Sequence, residues 1–397
     1  GTLSNDSVGS QTVDFVPGKL RAGSFTANPG TAGSITLMIQ AALFPAVFSG
    51  GHSVLTLHGG TDVSFSPPLE FCRRVFMPAV ERMGCRCKVR VPLRGFFPRG
   101  GGEIRLEVSG LEAGMQLKPI DISERGRAKS VEAILMSTSP LGEEQAAAAA
   151  AVRTSLQGLA SEVQTRCIVE TGARIQGPMF WLDVVVQTTS GARFHASSEP
   201  RSLSQKGRKG GSLAAVEVFK AAAKEARMAL ERQLASGAAV DEHLLDQLIL
   251  PASLAAGKSR LLMANPSLHT QTAIHIAKLF LPDVSISQKA IGDLELLEIE
   301  GVGHRATSPA EGPAEETDGR SRREDTDRVQ LPRAALVTAA PELLQDFNAD
   351  MRHLSEATGA TVLADIQGDC VTVSGGPRER KDACSKLEEI VRFYFGA

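Results

Sequence analysis

His269 sits beside a helix start, in Pro266-Ser267-Leu268-His269-Thr270-Gln271-Thr272. Ser267 suits an N-cap, which predicts the imidazole in the first helical turn. Unpaired backbone N–H groups and the positive end of the helix dipole gather there, so that turn attracts phosphate. The same field lowers an imidazole pKa and keeps the ring neutral, as a nucleophile toward phosphorus requires. Position alone favours a structural histidine. His275, six residues on, misses the i, i+4 spacing of a helical metal pair and reads as structural. One helix earlier, His243, Asp246 and Gln247 fall at i, i+3 and i+4, so one face presents all three. A merely solvated face would not need the Leu248-Ile249-Leu250 run that follows.

Several elements must hold these residues. Ile35 to Phe48 is apolar nearly all round, as a buried helix is. Pro68 to Met83 reads as an amphipathic helix with Phe71, Val75, Met77 and Val80 inward. Glu143-Glu144-Gln145 leads the alanine run Ala146 to Ala151 into a helix with an acidic first turn. Phe180 to Val186 is a strand, and Ser197 to Gly211 is polar and Gly-rich. Apolar residues at Phe219, Ala223, Ala226, Leu230 and Leu234 predict a helix that stops at Gly237. Two more helices follow, from Asp241 to Ala256 and from Ser267 to Leu281, the last ended by Pro282.

The segment Arg94-Gly95-Phe96-Phe97-Pro98-Arg99-Gly100-Gly101-Gly102 leaves backbone bare, so a ligand or another chain segment can approach closely. A period-two strand pattern resumes from Glu103 to Val108. Upstream lie Pro29-Gly30-Thr31-Ala32-Gly33-Ser34 and His58-Gly59-Gly60-Thr61-Asp62, the second read as a turn; downstream lie the two histidine segments. Taken in order, the five segments resemble the RNA 3'-terminal phosphate cyclase family, over roughly residues 1 to 285. The triple-glycine segment looks like that family's signature.

The resemblance implies an α/β (α+β) fold with a repeated βαβ-type core, interrupted by a smaller α/β insert. Residues 1–117 would be the first part of the core, 118–208 the insert and 209–300 the return to the core. It implies an ATP-dependent enzyme that converts an RNA 3'-phosphate end to a 2',3'-cyclic phosphate through a covalent His–AMP. His269 matches the family's catalytic histidine, and ATP with a divalent metal (Mg or Mn) would be the cofactors. Asp246 and Gln247 match its nucleotide-site pair, suited to ribose or metal-phosphate contacts, and His243 stands where the family commonly has Tyr. Gln40 matches another nucleotide-site glutamine; unaided it reads as a buried polar cap. The basic loop with Lys206, Arg208 and Lys209 suits an RNA phosphate, although such loops are often only solvated. No dedicated metal ligands stand out.

The family opens with a Glu-Gly-Gly-Gly-Gln-type segment and several arginines that do not precede Gly1. The chain therefore reads as N-terminally truncated and is expected to be inactive, or nearly so, by itself. A non-catalytic cyclase-like scaffold of ribosome assembly is the first rival, and retention of His269 argues against it. An enolpyruvyl transferase would demand anion-binding Lys and Arg residues that these motifs lack.

At 397 residues and net charge -2, the chain is long enough for two or three domains and too neutral for bulk polyanion binding. Any nucleic-acid contact must be local. Six cysteines without a CxxC pair suggest reduced thiols in an intracellular protein of the nucleus or cytoplasm. No apolar run could span a bilayer, so no membrane partner is expected; protein partners are not identifiable. Residues 301–332 have almost no large apolar side chains and read as a disordered linker.

Residues 333–397 run helix (Pro341 to Ala357), strand (Thr361 to Ile366), strand (Cys370 to Ser374), helix (Pro377 to Phe395), an αββα order that resembles a degenerate K-homology domain. That family clamps a nucleic-acid backbone with a GxxG loop. The matching Asn348-Ala349-Asp350-Met351 has a Cβ at every position and an acid where phosphate should pass. The module is therefore expected to bind unstructured single-stranded RNA no more tightly than ~10⁻⁴ M at physiological salt. Fluorescence anisotropy at two salt concentrations measures this. Micromolar binding lost on mutating residues 348–351 would reverse the reading.

Overall fold

Ser34 caps a helix whose inward positions recur every fourth residue. Its Oγ accepts from the Leu37 N–H at 3.3 Å, and Ile35, Ile39, Leu43 and Val47 of this helix, α1 (Ile35–Val47), are fully buried. The computed structural model describes residues 1–7, 9–97, 100–170, 178–202, 215–308, 327–331, 347, 350, 351, 354, 355, 358, 361–365, 370–374 and 377–395. They fall into two compact units, Gly1–Glu316 and Thr317–Ala397.

In the first unit, β1 (Thr2–Ser4) and β2 (Asp14–Val16) pair as a short exposed hairpin. The first core sheet uses β3 (Ser24–Ala27), β4 (His52–Gly59), β5 (Arg86–Leu93) and β6 (Gly102–Ser109), in the order β3-β4-β6-β5. Between β4 and β5 lies a helical stretch over 69–82, called α2. β7 (Asp121–Ile122) begins the second sheet. Then come β8 (Ala128–Ser137), α3 (Glu144–Leu156), β9 (Glu162–Val169), β10 (Met179–Thr188), β11 (Arg193–Ser197), β12 (Arg201–Ser202) and α4 (Ala215–Ala235). These strands form the insert sheet, ordered β11-β10-β8-β9 with β12 beside β10. The chain returns as α5 (Glu242–Leu254), β13 (Ala256–Met263), α6 (Leu268–Phe280), β14 (Ser285–Ile291) and β15 (Leu294–Val302). The second core sheet has the order β7-β13-β15-β14.

Both core sheets follow β-α-β-α-β-β with a parallel first pair and antiparallel partners after it. This is the repeat that the resemblance implies. Register places Leu55 opposite Leu106 and Leu57 opposite Ile104, so one face of the first sheet is continuously apolar and buried.

Several boundaries differ from the expected ones. β7 pairs with β13, so residues 121–122 serve the core although the insert was read from 118. Helix α4 covers the insert sheet: its Phe219 ring meets Phe180 of β10 edge-on at 6.0 Å. Apolar periodicity fixes that α4 is a helix but not which sheet its stripe covers. Residues 301–308, read as linker, complete the core: the Ala306 N–H donates to the Met115 carbonyl at 2.8 Å and the Thr307 N–H to the Phe48 carbonyl at 3.1 Å. Residues 309–326 lie outside the described residues.

The glycine-rich signature solves a packing problem. A Cβ on Gly95 would lie 2.3 Å from both the Gly59 carbonyl oxygen and the Gly102 nitrogen, so three backbone segments cross with no room for a side chain. Gly100 has φ +69° and would drive a Cβ to 2.7 Å from the Thr31 carbonyl oxygen. Chain segments fill the space beside Gly95 and Gly100. Pro98 and Arg99 are outside the described residues.

Helix α2 contains a π-helical turn at Cys72–Phe76, where the Met77 N–H donates to the Cys72 carbonyl. Pro78 has no N–H to give the Arg74 carbonyl. Arg193 of β11 donates to that carbonyl instead, at 2.8 Å. The same stretch holds a buried charge network. Arg94 is enclosed and donates to Asp62 at 2.9 Å, Glu70 at 2.6 Å and Glu170 at 3.2 Å. Glu70 also accepts from Arg73 at 2.8 Å and Arg74 at 2.6 Å, and Arg74 reaches Glu132 of β8 at 2.9 Å. Burial would raise the Glu70 pKa, but Arg94, Arg73 and Arg74 hold it down at about 2.

In the second unit β16 (Asp327–Gln330), β17 (Thr361–Asp365) and β18 (Cys370–Ser374) form an antiparallel sheet, β16-β18-β17, followed by α7 (Pro377–Phe395). β16 falls in the stretch read as linker, because Val329 and Leu331 are too few to signal a strand. Phe347, Met351 and Leu354 are buried in this unit's core at helical spacing. Asp350 and Met351, read as the end of the clamp loop, are helical, and Met351 is 2% exposed. A residue in the core cannot line a phosphate clamp. Asn348 and Ala349 lie outside the described residues. No helix among the described residues is long and apolar enough to cross a membrane.

Arg94→Met should strand the Asp62 and Glu70 carboxylates in the interior and cost roughly 3–5 kcal/mol in urea unfolding. A loss under about 1 kcal/mol would show that water or another cation replaces it. Because the folded Glu70 value lies below its ordinary 4.5, its contribution is whole above pH 4.5 and fades as pH falls toward 2.

Candidate functional site

Helix α6 begins as its sequence predicts. Ser267 has extended backbone and its Oγ accepts from the Thr270 N–H at 3.2 Å, while its carbonyl accepts from the Gln271 N–H at 3.0 Å. The Gln271 side chain donates back to the Pro266 carbonyl at 3.2 Å, tying down the approach to the helix. Leu268 and His269 form the exposed first turn, and their amides precede any intrahelical acceptor. His269 is accessible to a substrate, and phosphate approaching it would meet the positive helix end.

Helix α5 packs beside α6. Asp241 caps it, its Oδ1 accepting from the His243 and Leu244 N–H groups, both at 2.9 Å. Leu244, Leu245, Leu248 and Ile249 are buried, which turns His243, Asp246 and Gln247 outward. His243 is exposed, while Asp246 and Gln247 are half-buried. Burial pushes the Asp246 carboxyl up to about 6, against the pull of His243 and His269. Asp246 thus stands within electrostatic reach of both His243 and His269, on two neighbouring helices.

The π turn enters here. Phe71 of α2 meets the His243 ring edge-on at 6.3 Å and the His195 ring at 5.9 Å. His195 in turn holds Asp183 through Nε2 and Oδ1 at 3.0 Å, both buried. Burial raises the Asp183 pKa, His195 lowers it, and Glu70 and Asp62 raise it further. The sequence reading missed this pair. Its signal was an acid inside the apolar run Phe180-Trp181-Leu182-Asp183-Val184-Val185-Val186, an arrangement that only a buried partner makes tolerable.

Gln40 lies half-buried on α1, which packs against β4 and β6, and its amide makes no hydrogen bond with a described residue. Lys206, Arg208 and Lys209 fall outside the described residues. His275 is exposed on α6. Among the described residues no group of three His, Cys, Asp or Glu could hold a metal ion by itself. All six cysteines are free, and burial pushes the Cys72 and Cys85 thiols up to about 12 and Cys87 to about 11, so none of these three is a nucleophile.

A family model for RNA 3'-terminal phosphate cyclase matches residues 1–285, which end just after α6. The chain is 32% identical over 308 residues to the RNA 3'-terminal phosphate cyclase of Desulfurococcus amylolyticus, covering 76% of this chain and 82% of that protein. It is 33% identical over 300 residues to that of Staphylothermus marinus, covering 75% and 80%. The enzyme of Trichormus variabilis is 32% identical over 303 residues, covering 72% and 79%. The second unit lies beyond the matched family residues.

Asp246 makes the site costly. Its folded value of about 6 lies above its ordinary 3.8, so the fold disfavours the carboxylate. The cost is absent below pH 3.8, grows between 3.8 and 6, and is complete above. Asp246→Asn should therefore raise Tm near pH 8 and leave it unchanged near pH 3.8. An unchanged or lower Tm near pH 8 would mean that the carboxylate is compensated in the fold.

Proposed function

We propose that this chain, which belongs to the RNA 3'-terminal phosphate cyclase family, converts an RNA 3'-phosphate end to a 2',3'-cyclic phosphate with ATP. The observation that carries the reading is His269 in the capped, exposed first turn of α6, with Asp246 of α5 within electrostatic reach of it.

The imidazole nitrogen of His269 attacks the α-phosphorus of ATP; an N–P bond forms and the bond to pyrophosphate breaks. Free amides at the start of α6 donate to the phosphoryl oxygens as negative charge develops on them. The RNA 3'-phosphate then takes the adenylyl group: a phosphoanhydride forms and the N–P bond breaks, which restores His269. The neighbouring 2'-hydroxyl attacks the activated phosphorus, loses its proton, and expels AMP as the ring closes.

Gln247, His243 and Gln40 are the candidates for holding the nucleotide, and Lys206, Arg208 and Lys209 for the RNA phosphate. A divalent cation bound between phosphates needs only one or two protein carboxylates. Asp246, half-buried and beside His269, fits that role, and the ion would supply charge screening. Burial keeps Asp246 poised to lose its charge below about pH 6, so nucleotide binding should weaken there.

Incubation with labelled ATP and a divalent metal should give an acid-labile adenylate on the chain, and His269→Ala should reduce it to background. The His269 side chain is exposed, so the substitution leaves the fold intact. Labelling of His269→Ala equal to wild type would overturn the mechanism.

A further inference from the structure

A cavity of about 340 Å³ lies beside the Arg94 network, its lining takes no residue from α5 or α6, and nothing in the reaction above uses it. Its walls come from the loop that precedes α2, the signature turn, and one face of β10 with the end of β11. Two of its lining residues carry a buried group with no hydrogen-bond partner among the described residues: the Trp181 Nε1–H, a donor, and the Asp183 Oδ2, an acceptor. Trp181 is 2% exposed and Asp183 is fully buried. They stand two residues apart on β10, so both side chains leave the same face of the strand. A buried donor or acceptor left unpaired keeps the full cost of its desolvation. A ligand edge with one acceptor beside one donor would satisfy both.

Aromatic rings surround that edge. Phe96 packs edge-on against Trp181 at 5.3 Å. Phe65 and Phe97, also in the lining, are exposed to solvent, Phe65 by 105% of its reference area. Phe65 further sits at φ +62°, a left-handed conformation that costs a residue with a Cβ. A strained, fully exposed phenylalanine at a cavity mouth suits a ring waiting for a flat partner. Charge decides which part of a nucleic acid could enter. Asp62, Asp183 and Glu199 line the cavity, and among the described residues no Lys or Arg does. Phosphate is repelled, and a heteroaromatic ring is not.

We infer that this cavity binds an unpaired base of the RNA substrate, stacked by Phe65 or Phe97 and read along one edge by the Trp181 N–H and the Asp183 carboxylate. The inference rests on the RNA-end reading above, and its test separates the two. His195 is then a positioning residue: by occupying Asp183 Oδ1 it leaves Oδ2 as the acceptor that meets the base.

Trp181 is the only tryptophan in the chain, so its emission reports on the cavity without any substitution. The wild-type chain is titrated, without ATP, with an unstructured oligoribonucleotide ending in a 3'-phosphate, and with an abasic strand of equal length and the same end. Label anisotropy reports binding and tryptophan emission reports occupancy. The expected result is at least roughly tenfold tighter binding of the base-bearing strand, with an emission change that saturates at the same midpoint. Phe65→Gly, at home at φ +62°, should weaken the base-bearing strand roughly tenfold and leave the abasic one alone. Equal affinity for both strands with unmoved emission overturns the cavity and leaves the RNA-end reading standing. Binding of neither strand overturns both. An emission change produced by ATP alone would put the nucleotide's base there and overturn the RNA assignment.

Discussion

A guanidinium sealed from water sets the terms for the rest of the first unit. Arg94 can remain inside only if carboxylates from separate places converge on it, and Asp62, Glu70 and Glu170 do so. Asp62 comes from the loop after β4, Glu70 from α2 and Glu170 from the end of β9. Those three origins are thereby fixed relative to one another, and with them the insert relative to the first core sheet. Such a centre specifies an arrangement more than it adds stability, since desolvation consumes much of the attraction. Phe71, next to Glu70, is carried to the two histidines by the same constraint.

Around that anchor the chain repeats itself. Each core sheet is entered by a parallel pair joined through a helix and closed by an antiparallel hairpin, so α5 and α6 occupy in the second sheet the places of α1 and α2 in the first. The repeated plan has been used unequally. In the first copy the second helix is bent by a π turn and immersed in ion pairs; in the second copy its counterpart is regular, capped and open at its start. Only the second therefore offers free amides beside an accessible imidazole.

What the sequence disclosed follows from the range of the interaction concerned. Caps act over three or four residues, so Ser267 and Asp241 could be read directly, and the helix starts they mark hold His269 and His243. Apolar spacing gave α1, α4, α5 and α6 as helices for the same reason. Interactions across long stretches left no local mark: Arg193 meets the Arg74 carbonyl from 119 residues away, and Arg94 meets Glu170 from 76. β16 was hidden differently, because a strand of four residues with one large apolar side chain resembles the polar chain around it. Lys206, Arg208 and Lys209 fall where the described residues stop, so the basic loop stays a sequence-level candidate.

The π turn in α2 also bears on how relatives of this chain should be compared. One extra residue in an unbroken α-helix would rotate everything before it by on the order of 100° about the axis; a π turn takes up that residue in its wider loop, so the two flanks keep their faces. Glu70 and Phe71 precede the turn; Val80 and Met83 follow it, buried in the apolar core. A single-residue gap within 72–76 would look innocuous in an alignment, as a mere shortening of a helix. In space it would return the turn to α-helical winding and leave Glu70 facing Arg94. Length, there, can change where the winding absorbs it.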